Sequence, residues 1–149
     1  MVKPYRPCVV AVLTRDYKTF LVGERRKISG AWQFPQGGIE EGEQASKAVL
    51  RELEEETGTN KAVIEKVSSD WISYDFPDSF KHPITKEFKG QKQKWFLLKL
   101  DPGAKPDLSL SDGEFRNLDW RPLSRIVKDV IEWKKECYIE GIKSLGLEV

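Results

Sequence analysis

The sequence predicts an α+β domain in which a mixed β-sheet is flanked by helices. Two observations carry this. Apolar runs of strand length are separated by polar or Pro/Gly-containing turns, and two other stretches have helical periodicity. Their order is strands, helix, strands, helix, without the regular alternation of an all-parallel sheet, so the helices must pack against a mixed one. At 149 residues the chain has room for a sizeable core, and residues 1–149 are expected to form a single domain.

Taken in order, Pro7 to Thr14 and Thr19 to Gly23 are strand-length apolar runs. The polar turn Arg15-Asp16-Tyr17-Lys18 between them makes the pair a hairpin. A polar loop from Lys27 to Gly30 leads to Trp32-Gln33-Phe34, a short strand stopped by Pro35. Gln36-Gly37-Gly38 reads as a loop whose backbone can approach a ligand closely. A helix follows from about Glu43 to Thr57, ended by Gly58. Ala62 to Tyr74 has strand alternation in two pieces, and Pro77 to Lys89 is a long polar loop or lid. Gln93 to Leu100 is a strand, Asp101 to Leu110 a linker, and Phe115 to Arg121 contains a short strand ended by Pro122. Leu123 to about Leu145 is helical, in one or two parts.

Composition excludes several functions. The net charge of +1 gives no basic field of the kind that gathers nucleic acid, so any RNA contact must be local. Cys8 and Cys137 have no metal-ligand spacing and are expected to be buried and reduced. No run approaches the roughly 20 apolar residues of a membrane span, and no signal peptide is evident, which points to a cytoplasmic protein with no membrane partner. His82 is the only histidine; it lies in a polar loop and is expected to face solvent, so neither a histidine-based triad nor a histidine-rich metal site is needed.

The helix from Glu43 carries the chemistry. Ala45, Ala48 and Val49 share a face, and the next positions on that face are Glu52, Glu55 and Glu56. A charge run of this kind also reads as a solvated surface, but this one continues an apolar face. Three carboxylates held together repel one another, and each is costly to bury unpaired. A divalent cation removes both penalties, and ligands that are all oxygen suit Mg²⁺ or Mn²⁺.

Gly37, five residues, Glu43, seven residues, then Arg51-Glu52-Leu53-Glu54-Glu55-Glu56-Thr57-Gly58-Thr59 resembles the Nudix box, G-x5-E-x7-R-E-U-x-E-E-x-G-U, over residues 37–59. Every fixed polar and glycine position is matched. Thr59 stands where the pattern has an aliphatic residue, and is expected to affect packing alone. The resemblance implies the α/β/α sandwich of the Nudix fold and a hydrolase that attacks phosphorus in nucleoside diphosphates linked to another group. It implies that Glu55 and Glu56 are metal ligands, that Glu52 is a ligand or the general base, and that Arg51 orients these acids. Glu43 is then structural, and a carbonyl of the Gln36–Gly38 loop is a possible further ligand. Family members often add an acid from a later loop, and Glu114 is the candidate here; its alternative reading is an exposed loop acid.

Tyr5-Arg6-Pro7, Trp32 to Gly38 and Gly90-Gln91-Lys92-Gln93-Lys94-Trp95-Phe96 together resemble the bacterial RNA pyrophosphohydrolases, also described as dinucleoside polyphosphate hydrolases. By that resemblance Arg6 and Arg26 contact phosphates or the terminal base. Gly37 and Gly38 approach the substrate, and Trp133-Lys134, on the C-terminal helix, stack on and hold the nucleotide. The alternatives are surface charge for the arginines and core packing for Trp133. The expected substrate is 5′-triphosphorylated RNA, converted to a 5′-monophosphate with release of pyrophosphate in the initiation of mRNA decay. The alternative is a dinucleoside polyphosphate such as diadenosine tetraphosphate, cut to ATP and AMP. A non-catalytic nucleotide-binding scaffold is a third reading, opposed by the presence of Arg51 and all three acids. The protein is expected to act as a monomer.

Overall fold

The run Cys8–Leu13 is apolar at every position because both faces of its strand are covered. In the computed structural model, which describes residues 2–149, it lies in β1 (Tyr5–Thr14). Val9, Ala11 and Leu13 point to one face and meet Ala48, Val49 and Leu53 of α1 (Ala45–Thr57), together with Phe96 and Leu98. Val10 and Val12 point the other way. They meet Ile126 and Val127 of α2 (Leu123–Asp129) and Tyr138 and Ile142 of α3 (Lys135–Ser144), with Phe34 and Trp95 between. A strand buried on both sides loses the alternation of a half-exposed one. The result is a sheet with one helix on one face and two on the other.

The sheet is mixed. Its main path runs β3 (Trp32–Gln33), β2 (Phe20–Arg25), β1, β7 (Gly90–Leu100), β5 (Ala62–Val67). β1 and β7 are parallel, from Tyr5 beside Gly90 to Thr14 beside Lys99. The other pairings are antiparallel. β8 (Phe115–Arg121) lies along β2, β6 (Ile72–Asp75) along the start of β7, and β4 (Gln36–Gly38) along Cys8–Val10 of β1. The β1–β2 hairpin forms as expected, with Thr14 opposite Phe20.

Four details differ from the sequence expectation. Gln36–Gly38 is a strand, held by pairing with residues nearly thirty positions earlier, which no local pattern announces. The helix begins at Ala45, after Glu43 has turned back to accept from the Glu40 N–H and from Arg51. The C-terminal helical stretch is divided by a 3₁₀ turn, Glu132–Lys134, so Trp133 and Lys134 precede α3 instead of lying on it. The loop after Pro77 contains a 3₁₀ turn, Pro83–Lys86.

Gly58 ends α1 with φ of 82°, a left-handed conformation that glycine adopts without steric cost, and its N–H closes on the Glu54 carbonyl. Thr59 is buried, in keeping with a packing role. Cys8 and Cys137 are buried and free. No helix among the described residues is long and apolar enough to cross a membrane.

Candidate active site

The inward stripe of α1 does change from aliphatic to acidic, and the three acids take different depths. Ala48, Val49 and Leu53 are fully buried, and Glu56, one turn on, is 1% exposed. Glu52 is half-buried and Glu55 exposed. β4 runs across the inner end of this stripe. The Gln36 N–H donates to Glu56 Oε1 at 2.6 Å, and Gly37 lies so close to the Glu52 carboxylate that a β-carbon there would overlap it. The second glycine of the pair, Gly38, lies instead against the Arg6 guanidinium.

Arg51 holds the acids in place. Its guanidinium donates to both Glu43 oxygens at 2.9 Å, to Glu52 at 2.9 Å, to Glu55 at 3.3 Å and to the Gly38 carbonyl at 2.8 Å. Such a planar fork, shared among several carboxylates, fixes geometry as well as charge. It holds Glu43 down to about 2. Glu43 touches Arg51 and the Glu40 backbone, which is the structural role expected of it.

A loop supplies the fourth acid. The Asp112 N–H donates to the Glu55 carbonyl at 2.6 Å, which pins residues 112–114 to the end of α1. Arg26 pins the same loop from the other side, donating from Nε to the Gly113 carbonyl at 2.7 Å and from its backbone to the Glu114 carbonyl at 2.8 Å. Glu114 and Asp112 therefore line the cleft with Glu52 and Glu55.

Burial pushes Glu52 up to about 7, with the charges of Glu55 and Glu114 adding to it and Arg51 opposing. Glu56 is driven well above its ordinary range, by burial first and by Glu114 and Glu52 after that. Its Oε2 is enclosed with no hydrogen-bond partner. Among the described residues no three His, Cys, Asp or Glu side chains are gathered closely enough to hold an ion as they stand. The donor set nevertheless fits a hard divalent cation: it is all oxygen, it is mutually repulsive, and one of its oxygens is buried without a partner. Glu52, Glu55, Glu56 and Glu114 are the residues that would hold one.

The same cleft, of about 510 Å³, continues to a different chemistry. Arg6 of β1, Gln91 of β7 and Tyr74 of β6 are in register and form one row across three strands. Beyond them Trp133 packs in an aromatic group, with ring centres 5.4 Å from Tyr74, 5.3 Å from Phe80 and 6.4 Å from Phe76. His82 stacks on Phe80 at 5.6 Å, so the one histidine is exposed, as expected, yet lines the cleft. Lys134 faces the cleft and is held down to about 8 by removal from water and by Arg25.

The structure thus brings Arg6, Gly37, Gly38, Glu52, Glu55, Glu114, Trp133 and Lys134 to one cleft. Glu56 and Arg51 stand behind its acidic wall. Arg26 does not line it; Arg25 does. Arg25 is the last residue of β2, whereas Arg26 follows it with its side chain turned to the Gly113 carbonyl. Sequence reasoning also missed Gln91, Phe76, Phe80 and Asp112. Only Gln91 left a signal, the i, i+2, i+4 series Gln91, Gln93, Trp95, which places all three on one strand face.

The family model for the NUDIX domain matches residues 4–140. An RNA pyrophosphohydrolase of Roseobacter denitrificans is 39% identical over 142 residues, 91% of this chain and 88% of that protein. One from Helicobacter pylori (strain G27) is 41% identical over 144 residues, 94% of this chain and 92% of the other. Among solved structures, the dihydroneopterin triphosphate pyrophosphohydrolase of E. coli superposes with a TM-score of 0.71 over 93% of this chain and 97% of its own, at 19% identity, a likeness of fold.

Proposed function

The chain belongs to the Nudix family and is a pyrophosphohydrolase, and from that premise we propose that it acts on 5′-triphosphorylated RNA, releasing pyrophosphate and leaving a 5′-monophosphate. One observation carries the reading. A single cleft has the acids Glu52, Glu55 and Glu114 at one end and a basic and aromatic group, Arg6, Lys134 and Trp133, at the other. That order matches a 5′ end, in which a phosphate chain is joined through ribose to a base. Relatives about 40% identical over nearly the whole chain are named for this activity.

Nudix hydrolases use divalent ions, and Mg²⁺ or Mn²⁺ suits these oxygens; when bound, the ion neutralises the phosphates and makes bound water more acidic. The chain's own residues do the rest. Arg51 keeps Glu52 and Glu55 turned toward the cleft. Glu52, which faces Gly37, holds the ion or takes the proton of the attacking water. Water oxygen bonds to phosphorus, the P–O–P bond breaks, and pyrophosphate leaves. Arg6 and Lys134 hold phosphate oxygens, while Trp133 offers a ring face to the base. Acting in the cytoplasm, such an enzyme would expose transcripts to decay.

The test compares 5′-triphosphorylated short RNA with diadenosine tetraphosphate at equal concentration with Mg²⁺, for wild type and Glu52→Gln. RNA is expected to be converted far faster, and Glu52→Gln to lose roughly 10²–10⁴-fold in turnover while keeping its melting temperature. A wide preference for the dinucleotide would replace this reading with dinucleoside polyphosphate hydrolysis.

A further inference from the structure

Gln91 is 6% exposed and lines the cleft between Arg6 and Tyr74, yet nothing so far gives it a role. Its carboxamide orientation is dictated from behind. Trp95, fully buried, donates from its indole nitrogen to Gln93 Oε1 at 3.0 Å, and Cys137 Sγ lies 3.2 Å from the same oxygen. An indole N–H can only donate, so the Gln93 carbonyl must face Trp95, and its NH₂ group must face Gln91. Gln93 Nε2 accordingly donates to Gln91 Oε1 at 2.9 Å. The relay leaves the Gln91 NH₂ group as the only end of that amide without a partner among the described residues, beside the cleft. An ordinary amide presents a donor or an acceptor with a half-turn; this one is locked as a donor.

We propose that Gln91 is a phosphate-binding residue, donating an N–H to a non-bridging oxygen of the substrate's phosphate chain, and that Gln93 and Trp95 are positioning residues that keep it a donor. The partner is a phosphate because the donor's neighbour in the sheet is the cationic Arg6, and Lys134 and Arg25 line the same cleft, whose carboxylates come from α1 and residues 112–114. No carboxylate shares its row. The neutral donor also adds a bond without adding to the repulsion among these cations. This inference rests on the phosphohydrolase reading but not on RNA being the substrate.

The probe is inorganic tripolyphosphate, which has no base, used as a competitive inhibitor of whichever substrate the wild type turns over. Gln91→Met and Gln91→Glu, both of similar length and without the donor, are expected to weaken inhibition about tenfold or more, the loss of a hydrogen bond to a charged group. KM should rise in parallel, by the same factor for substrates that differ only in their base. Gln93→Leu frees the amide to turn and should weaken inhibition by about threefold with kcat retained. Its effect should vanish in the Gln91→Met background, because there is no longer a donor to orient. Unchanged inhibition in folded Gln91→Met, an effect confined to one base, or additive losses in the double variant would each overturn the proposal. Failure of wild type to prefer RNA would overturn the RNA reading and leave this one standing.

Discussion

The two ends of the cleft are built in opposite ways. The acidic end comes from one continuous stretch, Gly37 to Glu56, with Asp112 and Glu114 added from one loop, and Arg51 ties the stretch together through four carboxylate and carbonyl partners. The basic and aromatic end is assembled from β1, β6, β7, the loop after β6 and the turn before α3. Its parts meet by packing and strand register. A local construction holds atoms within the tolerance that bond-breaking requires. A dispersed construction can change one wall without disturbing the others, which suits substrate choice. Chemistry should therefore fail abruptly when the first end is touched, and binding gradually when the second is.

The adjacent glycines of β4 test this most directly, since one faces each end. Neither has a left-handed backbone, so alanine is tolerated by the main chain. In Gly37→Ala the new methyl displaces the Glu52 carboxylate. Misplacing a reacting group by about 1 Å costs roughly 100-fold, so kcat should fall by about that factor in steady-state assays while the melting temperature holds. Equal loss in KM would break the comparison. Trp133→Ala comes next. Losing a stacked base partner costs about 1–3 kcal/mol, which should raise KM roughly tenfold or more with kcat nearly unchanged, and Trp133→Phe should recover most of it.

Gly38→Ala is gentler than its neighbour. The added methyl meets the mobile end of Arg6 at 2.5 Å, which can swing aside. One strained phosphate contact is worth about 1 kcal/mol, or about fivefold in KM. A fall in kcat instead would show that Arg6 belongs with the chemistry. The smallest effect concerns pH. Free Lys134 loses its proton near 8, well below the ordinary lysine range, because it is removed from water and faces Arg25. Its cation is present below that pH and lost above it, so kcat/KM should decline by about threefold as pH rises through 8. Lys134→Arg stays charged and should remove that decline from the pH–rate profile.

The residues that periodicity alone made legible belong to the acidic end, whereas Arg6, Trp133 and Lys134 were named only through family resemblance. A helix face that turns from Ala48 and Val49 to Glu52 and Glu56, followed by Gly58, can be read because partners three and four positions apart are neighbours whatever the rest of the chain does. The hairpin of β1 and β2 and the strand ending at Leu100 were legible for the same reason. Gln36–Gly38 was not, because two glycines give no strand signal and the pairing partner is distant. Phe80 was hidden in a polar loop and Phe76 just before it, and no local pattern separates Arg25 from Arg26.

The sequence by itself determined which acids face one way and where their helix stops, and periodicity within one helix is enough for that; the hydrolytic chemistry came from the match to the Nudix family. The tertiary structure alone decided what those acids confront. Parallel pairing of β1 with β7 set Arg6 beside Gln91, and packing of the turn before α3 against β6 set Trp133 beside Tyr74. Contacts between residues dozens of positions apart follow from register and packing, and neither is written in any short stretch of the chain.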